Sequence, residues 1–158
     1  MDIGQALAGL GPAVWMRTVP WAYPTVETLH ILALGLLFGS IALVDLRIIG
    51  VSRAVPVISL LRQALPFTWL AFGVSIVTGS LLFVAHAPDL IGNRVFVIKM
   101  CLIFAAGINA AIFHTGPYAR VEQWNVDAHA PPAARVLAVT SLLIWVGVIT
   151  CGRWIAYA

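Results

Sequence analysis

Four stretches of this sequence are almost wholly apolar, and each is long enough to cross a membrane as a helix. This feature constrains the fold more than any other, because an α-helix needs about 20 apolar residues to span the hydrocarbon core of a bilayer. The stretches cover residues 25–49, 66–86, 93–115 and 134–157. We therefore predict an all-α integral membrane protein, a four-helix bundle whose antiparallel spans run up and down.

The composition supports this prediction. Of the 158 residues, 61% are hydrophobic and 9% are charged, whereas a soluble domain carries about 25% charged residues. So few charges cannot cover a water-facing surface. The net charge of +3 is spread through the connections between spans and forms no patch for a polyanion. The composition thus excludes a soluble globular domain, a disordered chain, a secreted disulfide scaffold and a nucleic-acid-binding protein.

Residues 1–24 differ in character from the spans. Asp2 lies where a cleavable signal peptide has basic residues, and Trp15, Arg17 and Trp21 follow within the segment. This pattern is not that of a signal peptide. We predict an amphipathic segment that lies on the bilayer surface.

The positions of the arginines predict the orientation. Four spans place both termini on one side of the membrane. The first and third connections hold more arginines than the other face does, namely Arg47, Arg53, Arg62, Arg120 and Arg135 against Arg17, Arg94 and Arg153. Positively charged connections stay in the cytoplasm. Both termini are therefore predicted to be periplasmic.

Three local patterns make further predictions. Residues 55–65 are expected to form a short interfacial helix, and Pro66 is suited to the first turn of the second span. The tight connection at 87–92 predicts that the second and third spans pack as neighbours. The motif formed by Gly35 and Gly39 allows close helix packing within the bundle or between two copies of the chain.

Ionisable residues inside a membrane are candidate site residues, because each costs several kcal/mol unless it is paired or hydrated. One group, the outer layer, lies toward the side of the termini and consists of Glu27, His30, His86, Lys99 and Arg153. Glu27 and His30 are three residues apart and so share a helix face. Lys99 and Arg153 are two cations, and Glu27 is the only carboxylate of the outer layer that could pair with either of them. An additional anionic partner is therefore expected, such as a lipid phosphate, a substrate carboxylate or a haem propionate.

A second group, the inner layer, lies toward the opposite side. It consists of Asp45, Arg47, Asn109 and His114. The Asn109 amide is expected to hydrogen-bond to a neighbouring helix. His129 lies in the adjacent connection, and the sequence assigns it no role.

The outer layer suits haem b. A four-helix bundle can hold this cofactor between two axial imidazoles, and His30 and His86 lie on different spans near the same border. Lys99 and Arg153 would hold the propionates, and Glu27 would orient His30. The leading hypothesis is a small inner-membrane redox protein that passes electrons, with a possible redox partner subunit.

A copper site is an alternative metal hypothesis. A Cu(I) ion would be bound by soft ligands and imidazoles from the same half of the bundle, namely His30, His86, Met100, Cys101 and Cys151. No CxxC, MxxM or histidine-rich tract is present. The two cysteines are otherwise interpreted as small buried apolar side chains. A di-iron centre is excluded, since Glu122 is the only glutamate besides Glu27.

Two further alternatives do not require a cofactor. A channel or transporter would use Glu27, His30, Asp45 and His114 to gate protons, a metal ion or a small anion. An assembly subunit would instead pair its polar groups internally. The pairs would be Glu27 with Lys99 or Arg153, Asp45 with Arg47, and Asn109 with His114.

Several motifs occur together in this chain, in the order ETLHILALGLLFGSIALVDLRIIG, TGSLLF, NRVFVIKM, GINAAIFH and SLLIWVGVITCGRWIAYA. Over residues 24–158 it resembles a family of small bacterial inner-membrane proteins with four predicted spans and no settled biochemical activity. The resemblance implies four-helix architecture, and its motifs contain Glu27, His30, Asp45, Arg47, Lys99, Asn109, His114 and Arg153. More distantly, the chain is similar in size and span count to b561-type cytochromes and to the membrane domain of copper-resistance proteins.

Overall fold

A computed structural model describes residues 2–157, and all regular elements in that range are helices. Two short helices come first, α1 (Ile3–Ala8) and α2 (Gly11–Thr18). The long helices are α3 (Ala22–Ile49), α4 (Val57–Ala85), α6 (Arg94–Thr115) and α7 (Pro132–Trp154), and the short helix α5 (Ala87–Ile91) joins α4 to α6. Two 3-10 segments, Pro117–Trp124 and Ile155–Tyr157, precede and follow α7. The four long helices are each long and apolar enough to cross a membrane. The predicted all-α membrane bundle and its multi-pass character are confirmed.

Local chemistry explains where the spans begin and end. Gly50 ends α3 with a φ of 128°, a conformation that favours glycine. The Asn93 side chain accepts hydrogen bonds from the backbone amides of Val95 and Phe96 and so caps α6. These ends lie close to the predicted boundaries of the first and third spans.

The start of the second span differs from the prediction. Helix α4 begins at Val57 and runs through Pro66 without interruption. Residues 55–65 are therefore not a separate interfacial helix, and Pro66 does not occupy a first turn. A proline inside a helix leaves the carbonyl four residues earlier without its amide partner. That residue, Arg62, is exposed, so water can replace the lost hydrogen bond.

The long helices pack in the order α4, α3, α7, α6. Helix α3 packs against both α4 and α7, and α6 packs against α7. Helix α4 does not pack along α6, although a stacked contact between Phe83 and Phe96, with ring centroids 5.3 Å apart, joins their ends. The prediction that the second and third spans are packed neighbours is wrong. The short helix α5 connects the ends of α4 and α6 without bringing their lengths into contact.

Both ends of the described chain lie at one end of this bundle, which we call the terminal end. There α1 packs on α5, and α2 packs on α4. Gly4 lies so close to α5 that a Cβ atom would be 2.9 Å from Pro88 Cα. Arg17 donates hydrogen bonds to the carbonyls of Ala85 and Ala8. The amphipathic segment is therefore docked over one end of α4.

An apolar layer separates the two polar layers at mid-bundle. It comprises the buried residues Leu37, Ala71, Ala106, Trp145 and Val148. His30 lies seven residues before Leu37 on α3 and Asp45 lies eight after it, distances of about 10 and 12 Å along the helix axis. Gly35 and Gly39 are exposed, with open space where a Cβ atom would lie. Close packing through these glycines is therefore not used inside the bundle.

Candidate functional site

The His30 side chain extends from α3 toward α4 at the terminal end of the bundle. Its Nδ1 atom is 2.8 Å from the Thr78 hydroxyl oxygen. Gly79 makes room for the ring, because a Cβ atom there would lie 3.1 Å from His30 Cε1. The Ser75 backbone carbonyl also lies near the ring. The Nε2 atom has no side-chain hydrogen-bond partner within residues 2–157.

Lys99 approaches the same region from α6. Its ammonium group faces α7, where a Cβ atom on Gly152 would be 3.6 Å from Nζ. Lys99 is half-buried, its charge lies close enough to interact with His30, and it has no hydrogen bond or ion pair in the part of the chain described. The Ser75 hydroxyl is buried and also lacks a partner.

Three helices thus bring polar groups with unused bonding capacity into one region. We call His30, Ser75 and Lys99, together with Thr78 and Gly79, the His30–Lys99 site. Buried polar groups normally have hydrogen-bond partners, so this arrangement has the character of a binding site rather than of a satisfied core. The site can accept a bond at the imidazole and donate to an anion at the ammonium group.

Other residues of the outer layer do not join the site. Glu27 is exposed, and within the described residues it forms no ion pair with Lys99 or Arg153. Arg153 donates a 2.6 Å hydrogen bond to the Tyr157 hydroxyl and lies over the Tyr157 ring at 5.0 Å. The alternative in which Glu27 neutralises one of these cations is therefore wrong.

His86 is also separate from His30. It is exposed at the end of α4 and contacts Tyr23 edge-on, with ring centroids 5.2 Å apart. On α4, His86 lies seven residues, or about 10 Å along the helix axis, beyond Gly79, the residue that contacts the His30 ring. The intervening α3–α4 interface is filled by a core cluster of Met16, Ala22, Val26 and Ala85, with Tyr23, Leu81 and Leu82 packed against it. The structure therefore does not bring the two proposed axial histidines together.

The proposed copper ligands are likewise dispersed. Met100 and Cys101 are exposed on α6, whereas Cys151 is half-buried on α7 near Lys99. Within residues 2–157, no three histidine, cysteine, aspartate or glutamate side chains are grouped so as to hold a metal. Copper binding therefore stays a prediction, and the described residues contain no preformed site for it.

In the inner layer, Asn109 forms the predicted contact between helices. Its amide donates a 3.1 Å hydrogen bond to the Leu137 carbonyl on α7. His114 instead bonds through Nδ1 to the Ala110 carbonyl at 2.8 Å, within its own helix. The predicted pairing of Asn109 with His114 is wrong.

Asp45 and Arg47 do not pair with each other either. Asp45 is buried beside the Ser141 hydroxyl, and its Oδ2 atom has no partner. Arg47 is only 2% exposed and turns toward the connections. It donates to the carbonyls of Val55 at 2.5 Å, Arg53 at 2.8 Å and Asn125 at 3.0 Å. Arg47 therefore holds the first and third connections together.

His129 contributes to the same junction. Its Nε2 atom lies 2.6 Å from the Arg53 guanidinium, which donates the hydrogen bond. The Asp127 amide also donates to the Arg53 carbonyl at 3.0 Å. These contacts fix His129 at the end of the bundle opposite the His30–Lys99 site, where the first and third connections meet.

Sequence reasoning missed the α4 half of the site. Ser75, Thr78 and Gly79 carry no charge and were therefore not singled out. A signal is nevertheless present, because Ser75 and Thr78 are three residues apart and so share a face of an otherwise apolar span. Such a polar stripe would have predicted contact with a polar neighbour on another helix.

Gly79 provides a test of this packing. We expect Gly79→Ala to lower the free energy of unfolding by about 1–3 kcal/mol, because the added methyl group overpacks the imidazole. Denaturant titration in detergent would measure the change. Gly73→Ala is the matched control on α4, since its Cβ would meet open space, and we expect a change within about 0.5 kcal/mol. Equal effects of the two substitutions would contradict the observed packing.

The fold and the site define a small four-helix membrane protein with a histidine and a lysine placed at one end of the bundle. Residues 16–158 match DUF6644, a family of unknown function, and the chain belongs to that family. Neither a curated protein nor a solved structure matches the chain.

Proposed function

We propose that the protein binds haem b at the His30–Lys99 site and passes electrons within the membrane. The observation that supports this proposal most directly is the environment of the His30 ring, whose Nδ1 contacts Thr78 at 2.8 Å while Nε2 has no side-chain partner in the described chain. Histidine ligands of metals usually have their other ring nitrogen bonded to a fixed partner. When bound, the haem would supply the one-electron chemistry.

Lys99 supports the same proposal. A cation within a span is costly unless it finds a partner, and its ammonium group has none in the part of the chain described. The carboxylate of a haem propionate would be such a partner. The Ser75 hydroxyl, also unpartnered, would donate or accept a further hydrogen bond.

The packing leaves one side of the site less covered. Helix α4 does not pack along α6, and none of residues 94–105 in α6 is buried. A flat, largely apolar ligand would enter on this side, between α4 and α6. The position of His86 argues against its serving as a second axial ligand.

An absorption spectrum of the purified protein in detergent tests this function. We expect a Soret band, with haem b identified in a pyridine extract. Lys99→Met is expected to lower haem affinity by about tenfold, as the loss of a supporting partner commonly does, whereas Lys99→Arg should retain more of it because the positive charge remains. Absence of haem both as purified and after reconstitution would disprove the proposal.

We also propose that the protein lies in a bacterial inner membrane with its termini in the periplasm. The support is the arginine distribution, since Arg53, Arg62, Arg120 and Arg135 lie at the end of the bundle opposite the terminal end. The haem would then lie toward the periplasmic side.

A further inference from the structure

The Thr78 hydroxyl has one proton, and its surroundings determine where that proton goes. The Oγ1 atom is 2.7 Å from the Val74 carbonyl in the preceding turn and 3.4 Å from the Ser75 carbonyl. A carbonyl can only accept, so the shorter of these contacts uses the hydroxyl proton. Threonine commonly forms this bond within a helix.

The hydroxyl is then left as an acceptor toward His30. The 2.8 Å contact between Oγ1 and Nδ1 requires a donor, and the imidazole must supply it. We propose that Thr78 is a positioning residue that holds His30 with its proton on Nδ1 and presents an unprotonated Nε2. This inference rests on the proposed function, and it identifies Thr78 as the residue that orients His30 to bind haem iron.

The consequence for ligand binding is direct. A neutral imidazole binds a metal through the nitrogen that carries a lone pair, and the hydrogen bond of the other nitrogen determines which one that is. The same bond fixes the orientation of the ring. Loss of such a supporting partner typically costs about 10–100-fold in affinity.

The chain contains a matched threonine that lacks an imidazole neighbour. Thr68 lies on the same helix, and its hydroxyl donates to the Ala64 carbonyl at 3.0 Å and contacts the Ser40 hydroxyl at 2.8 Å. Like Thr78, it bonds to a carbonyl of its own helix and contacts one polar side chain across the α3–α4 interface. Thr68→Val therefore reports the cost of removing a threonine hydroxyl from this interface without any effect on His30.

Nitrogen-15 NMR of the haem-free full chain, labelled at histidine, tests the tautomer. Spectra recorded at alkaline pH, where imidazole is neutral, would show His30 protonated at Nδ1, with its signals assigned by their loss in His30→Asn. We expect Thr78→Ser and Thr68→Val to retain this signature and Thr78→Val to lose it. A proton on Nε2 in the parent protein, directed to the Ser75 carbonyl, would overturn the proposal, as would an unchanged tautomer in Thr78→Val.

Haem titration of the same proteins provides the second measurement. We expect Thr78→Val to lower haem affinity about 10–100-fold, and Thr78→Ser and Thr68→Val to remain within a few-fold of the parent. If no variant or parent binds haem but the tautomer follows Thr78, the proposed function fails and the role of Thr78 stands. If haem binds through His30 and Thr78→Val matches Thr68→Val in both measurements, the role of Thr78 is disproved.

Discussion

His30→Ala is expected to abolish haem binding, with an affinity loss greater than the roughly 100-fold that removal of a supporting partner produces. The imidazole is the only protein ligand to iron in our proposal, and alanine offers no replacement. Haem titration followed by the Soret band would measure the loss. The cavity left by the ring is smaller than that of a core leucine, so the bundle should remain folded.

His86→Ala is the matched control for this experiment. His86 is exposed, and the core cluster at the terminal end separates it from His30, so its removal should change haem affinity by no more than a few-fold. Equal loss in the two variants would instead support ligation by both histidines. Full retention of haem in His30→Ala would exclude the proposed site.

Arg47→Met is expected to have the largest effect on stability, lowering the free energy of unfolding by about 3–5 kcal/mol. The substitution removes donors to three backbone carbonyls in two connections. Methionine fills much of the space but donates no hydrogen bond, so the Val55 carbonyl loses its donor, whereas the Arg53 and Asn125 carbonyls each keep one bond from the amides of Asp127 and Val57. Denaturant titration in detergent, with helicity as the signal, would measure the difference.

Arg62→Met is the control for the loss of a positive charge from this end of the bundle. Arg62 is exposed, and its substitution should change the free energy of unfolding by less than about 0.5 kcal/mol. Arg47→Lys should remain strongly destabilised, because an ammonium group cannot reproduce the forked geometry of guanidinium. Similar stabilities of Arg47→Met and Arg62→Met would refute the proposed role of Arg47 in joining the connections.

The architecture was predictable because the bilayer imposes a simple rule. A chain with long uncharged stretches must satisfy its backbone internally, and helices do so within each stretch. Pro66 misled the prediction because a proline that can begin a helix is also tolerated inside one when its neighbours re-satisfy the freed carbonyl. The order of packing was not predictable, since a short connection limits the distance between helix ends but not the contacts along their lengths.

The site was only partly predictable for a related reason. His30 and Lys99 could be selected because an ionisable group in a span requires an explanation. Asp45 and Arg47 were selected by the same argument, but their partners depend on side-chain direction and on how the connections fold. The carbonyls that Arg47 binds belong to the backbone, and backbone groups leave no signature in a sequence.

The apolar layer at mid-bundle also has an electrical consequence. A unit charge that crosses a whole bilayer exchanges about 2.3 kcal/mol with each 100 mV of membrane potential. A charge that reaches His30 from the terminal end does not cross the layer of Leu37, Trp145 and Val148, so it passes through only part of the field. Exchange of charge at this site is therefore expected to depend less on membrane voltage than transport through the bundle would.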